Sequence, residues 1–185
     1  MTAIDPKEAA SALSDIESIV HRVRQSRIYN LASLIMIMWG VVTFAGYLNA
    51  YLLPRSAGYG WIAVYVAGIA GSAVISAFQR ARSGVRTFDI RVFVAFVLFV
   101  AFGIFCSAVL GHLTPRQMGT FWPIYFMLVY TIAGLWAGQA FVAIGLGIIA
   151  LTLVGYFLIG DAFDLWMAFV NGGGLVLGGL WMRWS

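Results

Sequence analysis

Residues 165–182 read LWMAFVNGGGLVLGGLWM, an apolar run that one asparagine and three glycines interrupt near its centre. About 18 apolar residues are long enough to cross the hydrocarbon core of a bilayer. Each glycine inside a helix costs about 1 kcal/mol relative to alanine, and an asparagine amide in the membrane needs a hydrogen-bond partner. The run therefore predicts a membrane span with a weak, polar centre. Either another helix packs very closely there, or the backbone opens to hold a ligand.

The rest of the chain also has the composition of a membrane protein. Of its 185 residues, 62% are hydrophobic and 10% are charged, and the mean hydropathy is +0.94. A soluble domain carries about 25% charged residues, so this shortage of charge excludes a water-soluble globule. The net charge of +4 comes from arginines that flank apolar runs. That placement orients a membrane protein and does not indicate nucleic-acid binding.

Six apolar runs have the length that a membrane helix needs. They cover residues 31–53, 60–78, 92–113, 119–138, 140–159 and 165–182. Nine of the eleven lysines and arginines lie before the first run, between the second and third, or after the sixth. The sequence thus predicts an all-α integral membrane protein, a six-transmembrane-helix bundle with both termini cytoplasmic. We expect it in the inner (plasma) membrane of the cell.

Residues 1–28 predict a cytoplasmic amphipathic helix that precedes the membrane domain of residues 29–185. Apolar side chains recur there at spacings of three and four, which places them on one helix face. They are Leu13, Ile16, Val20 and Val23. This face either rests on lipid headgroups or docks a partner protein. The basic loop 79–91 offers a second contact for anionic lipid or an acidic partner. Its candidate residues are Arg80, Arg82 and Arg86.

Small residues at four-residue spacing predict where the helices pack, because close backbone approach drives helix association in lipid. They are Gly68, Ser72 and Ser76 in the second run, Gly134 and Gly138 in the fourth, and Gly174 and Gly178 in the sixth. Gly138 also predicts a tight turn, because almost no loop separates the fourth run from the fifth. These contacts could join helices within one chain or form a homo-oligomer.

The chemistry that the sequence lacks narrows the choice of function. No Asp, Glu, Lys or Arg lies well inside a predicted span, and no metal-binding or nucleophile motif is present. We therefore expect no enzyme, no cofactor and no metal. A polar inventory remains for ligand binding. Its candidates are Asn171, Gly172, Gly173 and Gly174 in the sixth run, with Asn49, His112 and Trp122 at an outer mouth.

Two kinds of function fit this inventory. The first is a small solute-binding or transport subunit for a neutral or apolar ligand. In size and span count the chain resembles the substrate-binding membrane subunits of energy-coupling-factor vitamin transporters, which implies the same kind of role. The second is a regulatory or scaffold protein that recruits a cytosolic partner through residues 1–28 and the 79–91 loop. An oligomeric channel is a further alternative, although no ring of charged residues supports it.

Overall fold

The structure is a computed structural model that describes the backbone of residues 6–83, 90–109 and 111–184. It describes side chains in 29–79, 93–109 and 111–184, and at positions 81, 90 and 91. Over these residues the protein is helical and contains no strand. The helices are α1 (Pro6–Leu52), α2 (Ala57–Ser83), α3 (Ile90–Val109), α4 (Pro115–Ala137), α5 (Gln139–Leu158), α6 (Phe163–Met167) and α7 (Gly174–Trp184). A 3-10 turn, Pro54–Ser56, precedes α2, and a π-helical turn, Ala168–Gly173, joins α6 to α7.

Five helical segments are long and apolar enough to cross a membrane. They are Tyr29–Leu52, Pro54–Gln79, Pro115–Ala137, Gln139–Leu158 and Phe163–Trp184. The third predicted run corresponds to a shorter apolar segment, Phe93–Val109 in α3. The protein is therefore an all-α protein with the helices of a multi-pass membrane protein. Six crossings and cytoplasmic termini stay predictions.

Helix α1 joins the predicted N-terminal helix and the first span into one unbroken helix of 47 residues. Between Lys7 and Trp39 the sequence contains neither proline nor glycine, the residues that commonly produce a sharp kink. At 1.5 Å per residue the helix is about 70 Å long, and its apolar part, Tyr29–Leu52, is 24 residues. The predicted contact residues Leu13, Ile16, Val20 and Val23 lie where the structure describes the backbone alone.

The core is formed by α1, α4, α5 and the α6–π–α7 segment. Its buried members include Met36, Met127, Phe141, Ile144, Ile148, Val170, Leu175 and Met182. Helix α2 packs on α1, where the Trp39 indole donates a 3.1 Å hydrogen bond to the hydroxyl of Ser72. Helix α3 packs on α4 through stacked rings of Phe99 and Tyr125, whose centroids lie 4.0 Å apart. Two helices therefore flank a central group of four segments.

Helix α4 begins four residues before the predicted start at 119. Thr114 forms a capping box with Gln117: its hydroxyl accepts from the Gln117 amide at 3.3 Å, and its own amide donates to the Gln117 side chain at 2.8 Å. Pro115 follows at the first helical position, where its missing N–H costs nothing. The sequence TPRQ thus starts the helix ahead of its apolar part.

Candidate functional site

The predicted polar centre of the last span is a π-helical turn, so this span is widened rather than unwound. Residues Ala168–Gly173 form the turn between α6 and α7. Asn171 is 6% exposed and Gly172 is buried, whereas a side chain at Gly173 would meet nothing within 4 Å. Single π-helical turns inside α-helices often mark functional sites. The turn is therefore the first candidate for a functional site.

The turn crosses α1 at the distance of backbone contact. A Cβ at Gly172 would lie 2.6 Å from the Cα of Phe44, and a Cβ at Gly40 would lie 2.8 Å from the carbonyl oxygen of Gly172. Two helical turns further along, a Cβ at Gly179 would lie 2.8 Å from the carbonyl oxygen of Ser33. Glycine is required here because any side chain would push the two helices apart. At this crossing, Gly172 serves helix packing.

A second contact places Asn171 in a polar group that joins three segments. The Tyr47 hydroxyl donates a 2.7 Å hydrogen bond to the carbonyl oxygen of Gly119 in α4. The Asn171 side chain interacts with the same hydroxyl, and the Tyr47 ring packs in one buried cluster with Met167 and Ala168 where the π-helical turn begins. A phenol has one proton, and Gly119 receives it, so the Asn171 amide can approach this oxygen only as a donor. This polar group links α1, α4 and the π-helical turn, and Tyr47 at its centre is 2% exposed.

Pro123 explains why Gly119 can accept this bond. Pro123 lies inside α4, as the ninth residue of the helix. Because proline has no N–H, the carbonyl four residues earlier loses its helical partner. That carbonyl belongs to Gly119, and the Tyr47 hydroxyl takes the place of the missing amide. In a bilayer such a backbone carbonyl needs a partner from the protein.

Arg116 fastens the beginning of α4 to the end of α5. Its guanidinium donates to the carbonyl oxygens of Gly155 (3.3 Å), Tyr156 (2.7 Å), Ile159 and Gly160 (3.2 Å). These include carbonyls that the end of a helix leaves unpaired, and a cation there complements the helix dipole. The guanidinium carbon also lies 4.9 Å from the ring centre of Phe163. The carboxyl group of Asp164 interacts with the positive charge of Arg116.

Two buried polar atoms have no hydrogen-bond partner among the described residues. They are the side-chain nitrogen of Asn49 and the hydroxyl of Thr152. Thr152 is 0% exposed. On α5 it lies one turn from Ile148, which packs against Gly174, and one turn from Gly155, which packs against Trp166. Thr152 therefore faces the stretch of the last span that contains the π-helical turn.

The three residues predicted at an outer mouth have separate surroundings. Asn49 packs against Gly60 of α2. Trp122 packs against Gly103 of α3, where a Cβ would lie 2.9 Å from the indole ring. His112 is exposed in the link between α3 and α4. A mouth shared by these residues stays a prediction.

The small residues predicted to pack helices lie at three interfaces. Gly68 and Ser72 face Trp39 of α1, and Ser76 is half-buried one turn further on. A Cβ at Gly134 would lie 2.7 Å from the Val142 amide of α5. A Cβ at Gly178 would lie 2.9 Å from the Ile144 side chain of α5, and a Cβ at Gly174 would lie 3.2 Å from the Ile148 side chain. All these contacts lie within one chain.

Gly138 forms the connection between α4 and α5 by itself. Its φ of 141° and ψ of 155° belong to a region that only glycine adopts readily. The tight turn predicted at this position is confirmed. It brings α4 and α5 together as an antiparallel pair.

A shallow groove of about 350 Å³ lies between α5 and α7 and opens sideways from the bundle. All ten lining residues are alanine, glycine, valine, leucine, isoleucine or tryptophan. Gly147 lies in its wall, and a side chain there would meet nothing within 4 Å. Val170, inside the π-helical turn, and Gly174, directly after it, also line the groove. The groove is suited to an apolar molecule.

The remaining candidates concern the polar side of the membrane domain. The structure describes only the backbone at Arg80 and Arg82, and Arg86 lies outside the described residues. In the part of the chain that is described, no group of three or more His, Cys, Asp or Glu side chains could hold a metal ion.

The sequence predictions missed Tyr47, Arg116 and Thr152. A signal for Tyr47 was present, because a proline inside a span indicates an unpaired carbonyl four residues earlier, and a donor from another span must reach it. Arg116 was assigned only a role in orientation, since its bonds depend on how the α5 end folds back. No local pattern distinguishes Thr152 from other threonines in membrane helices.

Comparisons with known proteins leave the chain without a family. No protein-family model, no curated protein and no solved structure matches it. Its function must therefore be argued from its own residues.

Proposed function

We propose that this chain is a non-enzymatic multi-pass membrane protein that binds an apolar molecule in the groove between α5 and α7. Such a molecule would enter from the bilayer, because the groove opens sideways between two membrane-spanning segments. This is the first of the two functions that the sequence favours, a small subunit for binding or transport. We expect it in the inner (plasma) membrane with both termini cytoplasmic.

The groove is the observation that carries this proposal. Its walls are apolar apart from the indole N–H of Trp181, and binding sites of this kind select mainly by shape and hydrophobicity. Glycines at Gly147 and Gly174 leave room that larger side chains would fill. The groove borders the π-helical turn through Val170. A molecule bound there would touch the least regular part of the last span.

The position of Asn171 argues against a polar ligand at the same place. Its amide is 6% exposed and engages the Tyr47 hydroxyl. A ligand that used this amide would have to reach a buried side chain and displace it from Tyr47. Of the residues predicted to bind ligand, Gly174 lines the groove, whereas Asn171 and Gly172 are packed against α1.

The test fills the groove without disturbing the bundle. In phosphatidylcholine vesicles, a palmitate that carries a diazirine should label groove peptides of α5 and α7 in a saturable manner. Gly147→Leu should remove most of this labelling, because the new side chain projects into free space in the groove. Gly58→Leu is the matched control, since Gly58 also has nothing within 4 Å and lies on α2.

Helix α3 supplies an internal reference for ordinary lipid contact, because Phe102, Ile104 and Phe105 are more than half exposed. Labelling of the groove that rises without saturation, as α3 labelling should, would contradict the proposal. So would equal groove labelling in the Gly147→Leu and Gly58→Leu variants.

One observation favours the second candidate, a scaffold that recruits a cytosolic partner through residues 1–28 and the 79–91 loop. Helix α1 continues for 23 residues before its apolar part, which corresponds to about 35 Å of helix. An unbroken helix that spans the membrane projects from it. That geometry favours a partner protein over lipid headgroups as the contact of this segment.

A further inference from the structure

Two of the spans contain an irregularity, and both lie near the same side chain. The last span widens into the π-helical turn at Ala168–Gly173. Helix α4 contains Pro123, which leaves the Gly119 carbonyl without its helical amide. Prolines and π-helical turns are the usual places at which long helices bend.

We propose that Tyr47 couples these two irregularities into one hinge, so that the ends of α4 and α6 nearest Arg116 move together. Tyr47 is the shared partner, because its hydroxyl donates to Gly119 of α4 and its ring packs against Met167 and Ala168, where the π-helical turn begins. The Asn171 side chain of the turn also interacts with this hydroxyl. One buried side chain therefore contacts both irregularities, so a shift at either place alters the other.

Contacts on both sides of the two irregularities support a hinge at this place. On the side of Arg116, its guanidinium holds the end of α5 and packs on the Phe163 ring of α6. These contacts tie the ends of α4, α5 and α6 to one another. On the other side, Gly134 packs on the backbone of Val142, and Gly178 packs on the side chain of Ile144. The two irregularities lie between these tightly packed regions.

Amide hydrogen exchange in lipid nanodiscs tests the coupling. Tyr47→Phe keeps the ring and removes the hydroxyl. Loss of a hydrogen bond of typical strength should raise exchange about fivefold, and it should do so in two separate segments, residues 119–127 and 168–176. Tyr125→Phe is the matched control, because its hydroxyl also donates to a helix carbonyl, Phe99, at 2.9 Å. It should leave residues 168–176 unchanged.

A restored amide provides the reverse test. Pro123→Ala gives the Gly119 carbonyl a helical donor, so exchange in residues 119–127 should become slower. In this background Tyr47→Phe should still raise the amide exchange rate of residues 168–176. It should change the exchange rate of residues 119–127 less than twofold. If Tyr47→Phe raised the exchange of residues 119–127 as much in this background as in the parent protein, Pro123 would not be the cause of the dependence on Tyr47.

The proposal fails if Tyr47→Phe alters only one of the two segments, or if Tyr125→Phe loosens the π-helical turn equally. Asn171→Leu decides the question if Tyr47→Phe does not fold. It lies in the last span and leaves the Tyr47 hydroxyl in place, yet it should raise exchange in α4 at residues 119–127. Unchanged exchange there would overturn the coupling.

Discussion

Thr152 differs from the other buried hydroxyl residues that the structure describes. Ser33, Ser107 and Thr120 donate to the carbonyl oxygens of Asn30, Ile104 and Arg116, three or four residues earlier in their own helices. Thr152 has no such bond and is fully buried. A buried hydroxyl without a partner destabilises the folded state by about 1–3 kcal/mol.

Thr152→Val should therefore stabilise the protein by about 1 kcal/mol, because valine has nearly the same shape and carries no polar group. The measurement is unfolding of the purified protein in detergent micelles. Thr120→Val is the control and should lower stability by a similar amount, since it loses the bond to Arg116. A destabilised Thr152→Val variant would mean that the hydroxyl has a partner.

At the residue scale, sequence patterns predicted the important positions of the last span. They predicted the roles of those positions less well. Asn171 belongs to the polar group around Tyr47 and Gly172 packs closely on α1, so the run NGGG did indicate an important place. Their partners, Tyr47 and Gly119, are distant in sequence, and no spacing rule connects them. The sequence left open whether Asn171 packs or binds, and its contact with Tyr47 supports packing.

At the scale of helices, two glycines should respond to alanine in opposite ways. Gly138→Ala should destabilise the protein by about 1–3 kcal/mol, because alanine does not fit the backbone angles at this turn. Gly147→Ala should stabilise it by up to about 1 kcal/mol, because Gly147 has helical geometry and free space around it. Thermal unfolding in micelles measures both. A Gly138→Ala variant as stable as the parent protein would contradict the turn.

Helix boundaries show the same limits of sequence analysis. The start of α4 was predicted four residues late because the apolar pattern begins after the capping box. The predicted third span is longer than the apolar segment of α3, which ends at Val109. The unbroken α1 follows from the absence of proline and glycine over residues 7–39. By contrast, the π-helical turn depends on packing against Gly40 and Phe44 and could not be derived from composition.

At the scale of the whole molecule, the length of α1 makes a prediction about the membrane surface. A spin label at position 13 should be accessible to a water-soluble relaxation agent and poorly accessible to oxygen, because the helix projects from the bilayer. A label at Phe102, which is exposed on α3, should show the reverse. Both are made in a Cys106→Ala background, since Cys106 is a free cysteine.

The alternative has a distinct outcome in the same experiment. If the segment rests on the headgroups, labels at positions 13, 16 and 20 should all show raised exposure to oxygen, and labels at positions 15 and 22 should not. That result would contradict a projecting helix and remove the observation that favours a docked partner. Loss of the first 28 residues would then affect lipid binding rather than recruitment.

The connection at Gly138 also affects how the protein is made. With a single residue between α4 and α5, the end of one helix and the beginning of the next lie at the same depth. We expect the two to enter the lipid together as a helical hairpin, once α5 has been synthesised. Synthesis halted between the two helices would leave α4 without its partner, and we expect quality-control proteases to degrade it before it inserts stably into the lipid.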